Sequence, residues 1–251
     1  MNKPSLLEVC LESFESSLAA EQGGAQRIEL CADLLEGGTT PSAGMIRTVR
    51  KHLQIAIQVM IRPRGGDFLY TNAEFEMMRH DIEVAKDLGA DGIVLGLLNP
   101  DGTVDLERTR ELVALSHPLP VTFHRAIDVS RDLPEALEAV IESGAARVLT
   151  SGGKSSVVDG ASTVARMVEQ AGNRIVIMPG CGIDRDNIID VMHRTNAREL
   201  HIALDRPVQS EMRFRKAEIP MGGVEGREYL RFVAEAAAVR DVVTLLQNEN
   251  S

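Results

Sequence analysis

Acidic, basic, thiol and imidazole side chains recur at alternate positions inside short apolar segments. In the segment that begins at Leu6, Glu8 and Cys10 alternate with Leu7 and Val9. Because successive side chains of a β-strand point to opposite faces, the polar residues share one face and the apolar residues share the other. Carboxylates, imidazoles and guanidiniums on a common face could transfer protons and hold an anion. Four other segments repeat the pattern, with the faces Arg27, Glu29 and Cys31; Gln58, Met60 and Arg62; Thr122 and His124; and Glu199, His201 and Ala203.

The elements that would position these residues are eight strand-like segments, each followed by an amphipathic stretch. The segments begin at residues 6, 27, 55, 91, 119, 146, 174 and 198, and each interval has room for a strand, a helix and two short loops. This repeat predicts an α/β fold, a (β/α)8 TIM barrel, although an open doubly wound sheet gives a similar pattern. A single domain is predicted to span residues 1–251.

The C-terminal part of the chain departs from the repeat. Residues 205–225 have neither a helical nor a strand period, and they are predicted to form a long loop after strand eight, either a lid or a surface excursion. A final helix is predicted from about Gly226. Residues 247–251 are predicted to be a frayed tail.

Most of the polar face lies near the carboxyl ends of the strands, where TIM barrels place their active sites. The catalytic candidates are Glu8, Glu29, Arg62, His124, Arg125 and Asp128. Buried glutamates need a partner, and we expect Arg62 to pair with them, with His124 beyond it. An acid/base isomerase, lyase or hydrolase would fit this set. The alternative is a salt-bridged plug that only fills the barrel axis.

Glycine-rich turns and arginines after the strands indicate an anionic ligand. Paired glycines let backbone amides approach an anion, and such turns at the last strands of barrels commonly bind phosphate. The alternative explanation of each turn is that a tight turn needs glycine. The alternative explanation of Arg213 and Arg215 is a solvated basic loop. The candidates are Arg64, Gly65, Gly66, Asp67, Ser151, Gly152, Gly153, Gly180, Gly182, Arg213 and Arg215.

Binding of a soft metal ion is the second chemistry that these strand ends could support. Cys10 and Cys31 would end adjacent strands on the inward face, and neighbouring positions of a parallel sheet lie about 5 Å apart. Two thiolates at that separation could bind Cu(I), with Met60, His124 or His201 nearby. The alternative is that both cysteines are small buried hydrophobic residues. No organic cofactor is implied.

Charge and composition exclude several classes of function. The 251 residues carry a formal net charge of −10, which argues against nucleic acid as the main partner. The sequence has no run of 18 apolar residues that would predict a membrane span, and its three cysteines are too widely spaced for a disulfide framework. A reduced, cytoplasmic protein is therefore predicted.

Seven motifs carry a resemblance to a known family: LEVC, RIELC, EGGTTPS, IRPRGGDF, PLPVTFHRA, RVLTSGG and IVIMPGCGI, in this order. Over nearly the whole chain they resemble the CutC copper homeostasis family, and IRPRGGDF and VTFHRA are the most specific. The resemblance implies a (β/α)8 barrel, a cytoplasmic location, a homodimer or larger homo-oligomer, and Cu(I) binding through cysteines. By position, it places the family's polar pocket on Glu8, Glu29, Arg62, Arg64, Asp67, His124, Arg125 and Asp128, and its cysteine pattern on Cys10 and Cys31.

One departure concerns strand eight. His201 is retained in LHIALDR, but the small polar residues that family members often show after it are absent, which reduces the expected role of this strand in metal ligation. The resemblance implies a CutC-type copper homeostasis protein whose partner is a copper ion. The alternative is a TIM-barrel enzyme that acts on a small anionic metabolite, phosphorylated or not.

Overall fold

The structure is a computed structural model that describes residues 5–216, 218–219, 222–224 and 226–249. Strands and helices alternate along the chain, and each of the eight predicted strand segments contains a strand. The barrel strands are β1 (Leu6–Leu11), β2 (Arg27–Leu30), β3 (Ala56–Met60), β4 (Gly92–Leu95), β5 (Val121–Phe123), β6 (Arg147–Thr150), β7 (Val176–Pro179) and β8 (Glu199–Ala203).

Helices follow these strands on the outside of the barrel. They are α1 (Phe14–Gly23), α2 (Ala43–His52), α3 (Asn72–Asp87), α4 (Leu106–Ser116), α5 (Leu133–Ser143), α6 (Val157–Ala171), α7 (Ile188–Thr195) and α8 (Ala236–Glu249). Two short 3-10 helices, Leu34–Glu36 and Arg125–Val129, lie in the loops after β2 and β5. Within the described residues, no helix is both long enough and apolar enough to cross a membrane.

The strand order confirms the barrel and excludes the open sheet. All eight strands are parallel, and β1 pairs with both β2 and β8, which closes the sheet on that side. In the part of the chain that the structure describes, no hydrogen-bonded ladder joins β7 to β8. The two strands nevertheless lie side by side, since a Cβ on Gly180 would come within 3.1 Å of His201. The barrel is therefore nearly closed.

Apolar residues on alternate strand positions form the layer between the barrel and its helices. Leu7, Val9, Ile28 and Leu30 have no solvent exposure and belong to one continuous hydrophobic core. Their burial supplies most of the driving force for packing the helices, at about 25 cal/mol per Å² of apolar surface. The intervening polar residues are consequently directed to the barrel axis, as the alternation predicted.

The C-terminal prediction was partly wrong. The stretch predicted as a structureless loop contains strand β9 (Arg206–Gln209), which pairs in antiparallel fashion with β10 (Leu230–Val233). The predicted helix from about Gly226 begins only at Ala236, because the preceding residues extend into the hairpin. Helix α8 continues to Glu249, so residues 247–249 are helical and not frayed, while residues 250 and 251 lie outside the described residues.

Candidate functional site

The register of β1, β2 and β8 gathers thiols, carboxylates and an imidazole at the upper end of the barrel axis. Cys10 lies opposite Glu29 on β2, and Glu8 lies opposite His201 on β8. The possible ligand atoms of Cys10, Glu29 and Cys31 all lie within 4.8 Å of one another, as do those of Glu8, Glu29 and His201. Glu29 thus belongs to both groups and joins them.

The two thiols form a small soft-ligand cluster. Cys10 and Cys31 are buried and pack with Met60, Val94 and the partly buried Leu34. The hydrogen bond with Cys31, together with burial, holds the pKa of Cys10 well above its usual value. The same hydrogen bond acts to lower the pKa of Cys31, but burial and Glu29 outweigh it and raise that pKa to about 12. Both side chains are therefore neutral thiols near pH 7.

His201 connects the two glutamates. Its Nδ1 lies 2.8 Å from Glu8 Oε1, and its Nε2 lies 3.7 Å from Glu29 Oε2. Burial acts to raise the pKa of Glu8, yet the hydrogen bond from His201 and the charge of Arg27 lower it to about 2. Burial likewise opposes protonation of His201, but Glu29 and neighbouring hydrogen bonds raise its pKa well above 6.5. Glu8 and His201 are thus an ion pair at neutral pH.

Glu29 holds a different position in this cluster. Burial, the largest influence, raises its pKa, and the nearby charge of Glu8 acts in the same direction. Its Oε2 accepts a weak hydrogen bond from Cys31 Sγ at 3.6 Å, and its buried Oε1 has no hydrogen-bond partner among the described residues. Glu29 is consequently the carboxyl group best placed to take up a proton from a neighbouring thiol.

A buried salt-bridge network lies beneath this cluster, and it corrects the expectation that Arg62 pairs with the glutamates. The Nε of Arg27 contacts Glu8, its Nη2 lies 2.6 Å from Glu199, and Glu199 also accepts from Arg147 at 2.6 Å. Glu8 therefore takes its cationic partners from β2 and β8. This network is the axis-filling salt bridge that the sequence left as an alternative for part of the polar face.

Arg62 reaches the loops above the strands instead. Strand β3 ends at Met60, and the two Nη atoms of Arg62 donate to the carbonyl oxygens of Glu36, Gly38 and Gly66 at 2.7–2.8 Å. A residue beyond the end of its strand is no longer bound by the alternation that the neighbouring strand imposes. Arg62 is therefore bound to loop carbonyl oxygens, and among the described residues it forms no salt bridge with Glu8 or Glu29.

His124 occupies the opposite wall. Its Nδ1 accepts a hydrogen bond from the Ala126 amide at 3.2 Å, and its ring lies 5.0 Å from the Phe68 ring, centroid to centroid. Burial, reinforced by the charge of Arg62, lowers the pKa of His124 to about 3. The imidazole is therefore neutral at physiological pH.

A cavity of about 270 Å³ opens over these groups at the carboxyl end of the barrel. Its floor and walls combine soft, acidic, cationic and apolar side chains. The lining residues are Cys10, Glu29, Glu36, Gly37, Met60, Arg62, Phe68, His124, Arg125, Leu149 and His201. The structure thus brings together five of the predicted site residues at one cavity, with Glu8 and Cys31 packed directly against its floor.

Comparison with known proteins assigns this barrel to a protein family. The family model described as the CutC family matches residues 5–205. The chain belongs to the CutC family. A family protein CutC from Chromobacterium violaceum is 48% identical over 235 residues, which cover 94% of this chain and 95% of that protein. The human copper homeostasis protein cutC homolog is 46% identical over 244 residues, with coverage of 97% and 89%.

Solved structures agree with this assignment. The CutC structure from Streptococcus agalactiae matches with a TM-score of 0.75 and 33% identity, and the match covers 78% of this chain and 97% of that one. The phosphoribosylanthranilate isomerase from Thermotoga maritima matches with a TM-score of 0.58 at 11% identity, a likeness in fold alone. The β9–β10 hairpin and helix α8 lie beyond the residues that the family model matches.

Asp128 fills one of the anion sites expected in this CutC chain. Its carboxylate accepts hydrogen bonds from the amides of Ser151 and Gly153 at 2.9–3.1 Å and from Thr150 Oγ1 at 2.5 Å. The amide of Gly152 donates to Thr150 Oγ1. The glycine turn after β6 therefore binds a carboxylate of the protein itself, and its amides are not available to a phosphate. Asp128 itself does not line the cavity.

The remaining anion candidates also have local partners. Arg64 pairs with Glu74 at 2.6 Å and with Asp67 at 3.0 Å, outside the cavity. Gly65 packs against the Glu36 side chain, and the Gly66 carbonyl accepts from Arg62.

Glycines and arginines later in the chain serve packing and the C-terminal hairpin. Gly180 allows β7 to approach His201, and Gly182 packs against Ser156. Arg213 is exposed, and Arg215 stacks on Tyr229 at 5.0 Å, so neither lines the cavity.

Three residues that line the cavity were not among the predicted site residues. His201 and Met60 were expected only near a bound metal ion, and Phe68 was not considered. His201 was given little weight because the residues after it depart from the family pattern, yet it bridges Glu8 and Glu29. Met60 packs with the thiols, and Phe68 forms a wall beside His124. The period-two alternation of β8 and β3 was the signal for the first two. Phe68 lies in a loop, where no such signal exists.

Proposed function

We propose that this protein acts in copper homeostasis by binding Cu(I) through Cys10 and Cys31. The observation that carries the proposal is a pair of buried thiols beside Met60, at the floor of a cavity that opens at the carboxyl end of the barrel. Thiolate and thioether sulfur are the donors that select Cu(I) over harder ions. The curated human and mouse relatives carry the name copper homeostasis protein cutC homolog, which supports the same assignment.

Binding requires the thiols to lose their protons. Their raised pKa values mean that the apo site holds neutral thiols, so copper must displace protons when it binds. Glu29 lies within hydrogen-bond reach of Cys31 and can accept one of them. His201, held by Glu8, keeps Glu29 in a fixed electrostatic environment on the other side. Glu29 thus serves the thiol pair as a proton acceptor, and Glu8 and His201 hold Glu29 in place.

An anaerobic competition titration with a chromophoric Cu(I) chelator tests the proposal. The wild type is expected to bind copper stoichiometrically, and the Cys10→Ser/Cys31→Ser variant is expected to lose this binding. Cys181→Ser is the matched control, because Cys181, in the loop after β7, donates to the Ser155 carbonyl and does not line the cavity. Weak binding by the wild type, or full binding by the double variant, would overturn the assignment of copper to these thiols.

The cellular setting is part of the same proposal. A cytoplasmic, reducing environment would keep the three cysteines as thiols, which is how the structure has them. Assembly into a homodimer or larger homo-oligomer is expected from the family resemblance, and light scattering at several protein concentrations measures it. The enzyme hypothesis is not favoured by the comparisons, since the relatives named above are copper homeostasis or CutC family proteins.

A further inference from the structure

Arg62 is a buried cation whose partners are all neutral. Only 5% of the residue is exposed, and both Nη atoms donate to backbone carbonyl oxygens. Within the described residues, no carboxylate forms a salt bridge with Arg62, and its buried Nε has no hydrogen-bond partner. A buried charge is costly unless it is paired, so this guanidinium provides both an unbalanced positive charge and a free donor.

His124 provides a second free donor. Because its Nδ1 accepts from the Ala126 amide, the proton of the neutral ring lies on Nε2. The residue is 4% exposed, and Nε2 has no hydrogen-bond partner in the part of the chain that the structure describes. An unsatisfied buried donor typically costs about 1–3 kcal/mol, which a ligand acceptor would recover.

The residues that carry the two donors line the same cavity. Arg62 and His124 both line it, and both contact Phe68: the guanidinium carbon lies 5.0 Å from the ring centroid, and the imidazole centroid also lies 5.0 Å from it. Phe68 therefore contacts both the cation and the imidazole. Met60 and Leu149 supply apolar surface elsewhere in the cavity.

The number and charge of these groups identify the class of ligand. Two N–H donors match the two oxygens of one carboxylate, whereas a phosphate dianion presents three or more acceptors. The amides of the nearby glycine turn are already bound to Asp128 and cannot supply further donors. Two further cations, Arg125 and His201, line the cavity, but each is already paired with a carboxylate, Asp128 or Glu8. The acidic residues Glu29 and Glu36 also line it, and they disfavour a dianion more strongly than a monoanion.

We propose that the cavity binds a small monocarboxylate, whose oxygens accept hydrogen bonds from Arg62 Nε and His124 Nε2. The short apolar body of the ligand would lie against Met60 and Leu149. This binding site lies beside the thiol pair in the same cavity, and it does not require bound copper.

Calorimetric titration of the metal-free, reduced protein with propionate, propionamide and inorganic phosphate tests the ligand class. Propionate is expected to bind with a Kd of about 1 mM, a modest affinity that suits its small number of atoms. Propionamide, which has the same shape without the charge, should bind at least about 10-fold more weakly. Equal binding of the two, stronger binding of phosphate, or no saturable binding of propionate would overturn the proposal.

His124→Asn tests the position of the site. Asparagine can still accept from the Ala126 amide but lacks the Nε2 donor, so propionate should bind at least about 10-fold more weakly. His80→Asn, on the exposed face of α3, is the matched control and should bind as the wild type does. If His124→Asn fails to fold, the imidazole proton of His124 in histidine-labelled wild type must shift on addition of propionate, and an unshifted signal would equally overturn the site.

Discussion

Replacing Glu8 by Gln removes a negative charge that contacts two buried cations. One carboxylate oxygen of Glu8 lies 2.8 Å from His201 Nδ1, and the other contacts Arg27 Nε. The side chain has no solvent exposure, so water cannot replace the lost interactions. Glutamine keeps the shape but directs an amide N–H₂ group at one of these two donors.

The magnitude follows from the pKa of Glu8. His201 and Arg27 outweigh the effect of burial and lower this pKa from 4.5 to about 2, which corresponds to about 3 kcal/mol of folding free energy at pH 7. Breaking a buried ion pair typically costs about 3–5 kcal/mol, which agrees. Because the folded-state pKa is lowered, this stability is present above pH 4.5 and is lost as the pH falls towards 2.

Urea unfolding at pH 7 and at pH 3 measures the difference in stability between the wild type and Glu8→Gln. We expect Glu8→Gln to lower the free energy of unfolding by about 3 kcal/mol at pH 7 and by about half of that or less at pH 3. Glu15→Gln is the matched control, because Glu15 pairs with Arg231 at 2.9 Å on the surface, where such a pair contributes at most about 1 kcal/mol. A loss below about 1 kcal/mol at pH 7, or an equal loss at both pH values, would refute the argument.

Three further outcomes are expected. Gly160→Ala should lower stability by about 2 kcal/mol, because its Cβ would collide with the Ser151 carbonyl oxygen; Gly44→Ala, in an open helical position, should be neutral or raise the melting temperature. Asp128→Asn should cost about 1–3 kcal/mol and speed hydrogen exchange of the Ser151 amide, and unchanged exchange would contradict the hydrogen bonds described. Because the pKa of Cys31 is about 12, apparent Cu(I) affinity should rise about 10- to 100-fold per pH unit between pH 6 and 8, whereas a flat profile in the chelator assay would exclude thiolate ligation.

The strand alternation was sufficient to predict which face of β1, β2 and β8 forms the site. Glu8, Cys10 and Glu29 lie within regular strands, where the period of two leaves no choice of face once the apolar face is buried. The same rule placed His201 on the inward face of β8, and the register of the structure sets it opposite Glu8. The fold and the floor of the cavity were therefore accessible from the sequence.

The hydrogen-bond partners of residues at the strand ends could not be predicted in this way. Arg62 lies beyond β3, and its acceptors are carbonyl oxygens that depend on the path of the loop after β2. The turn at Ser151 has the composition of an anion site, and it does bind a carboxylate, but that carboxylate comes from Asp128 in the preceding loop. The glycine-rich composition of a turn predicts that its amides will be free of hydrogen bonds to a neighbouring strand. It does not predict which acceptor these amides bind.

The thiol pair and the Arg62–His124 wall are close enough to influence each other, since Cys10 and Arg62 line one cavity. Binding of Cu(I) adds one positive charge and displaces two thiol protons, so the net charge of the site falls by one once Glu29 has passed the proton that it accepts on to solvent. Added negative charge weakens the attraction of Arg62 for a carboxylate. By linkage, a bound carboxylate must weaken Cu(I) binding by the same factor, so copper affinity measured with and without propionate should show reciprocal antagonism. A carboxylate that strengthens copper binding would mean that the ligand itself contributes a donor to the metal.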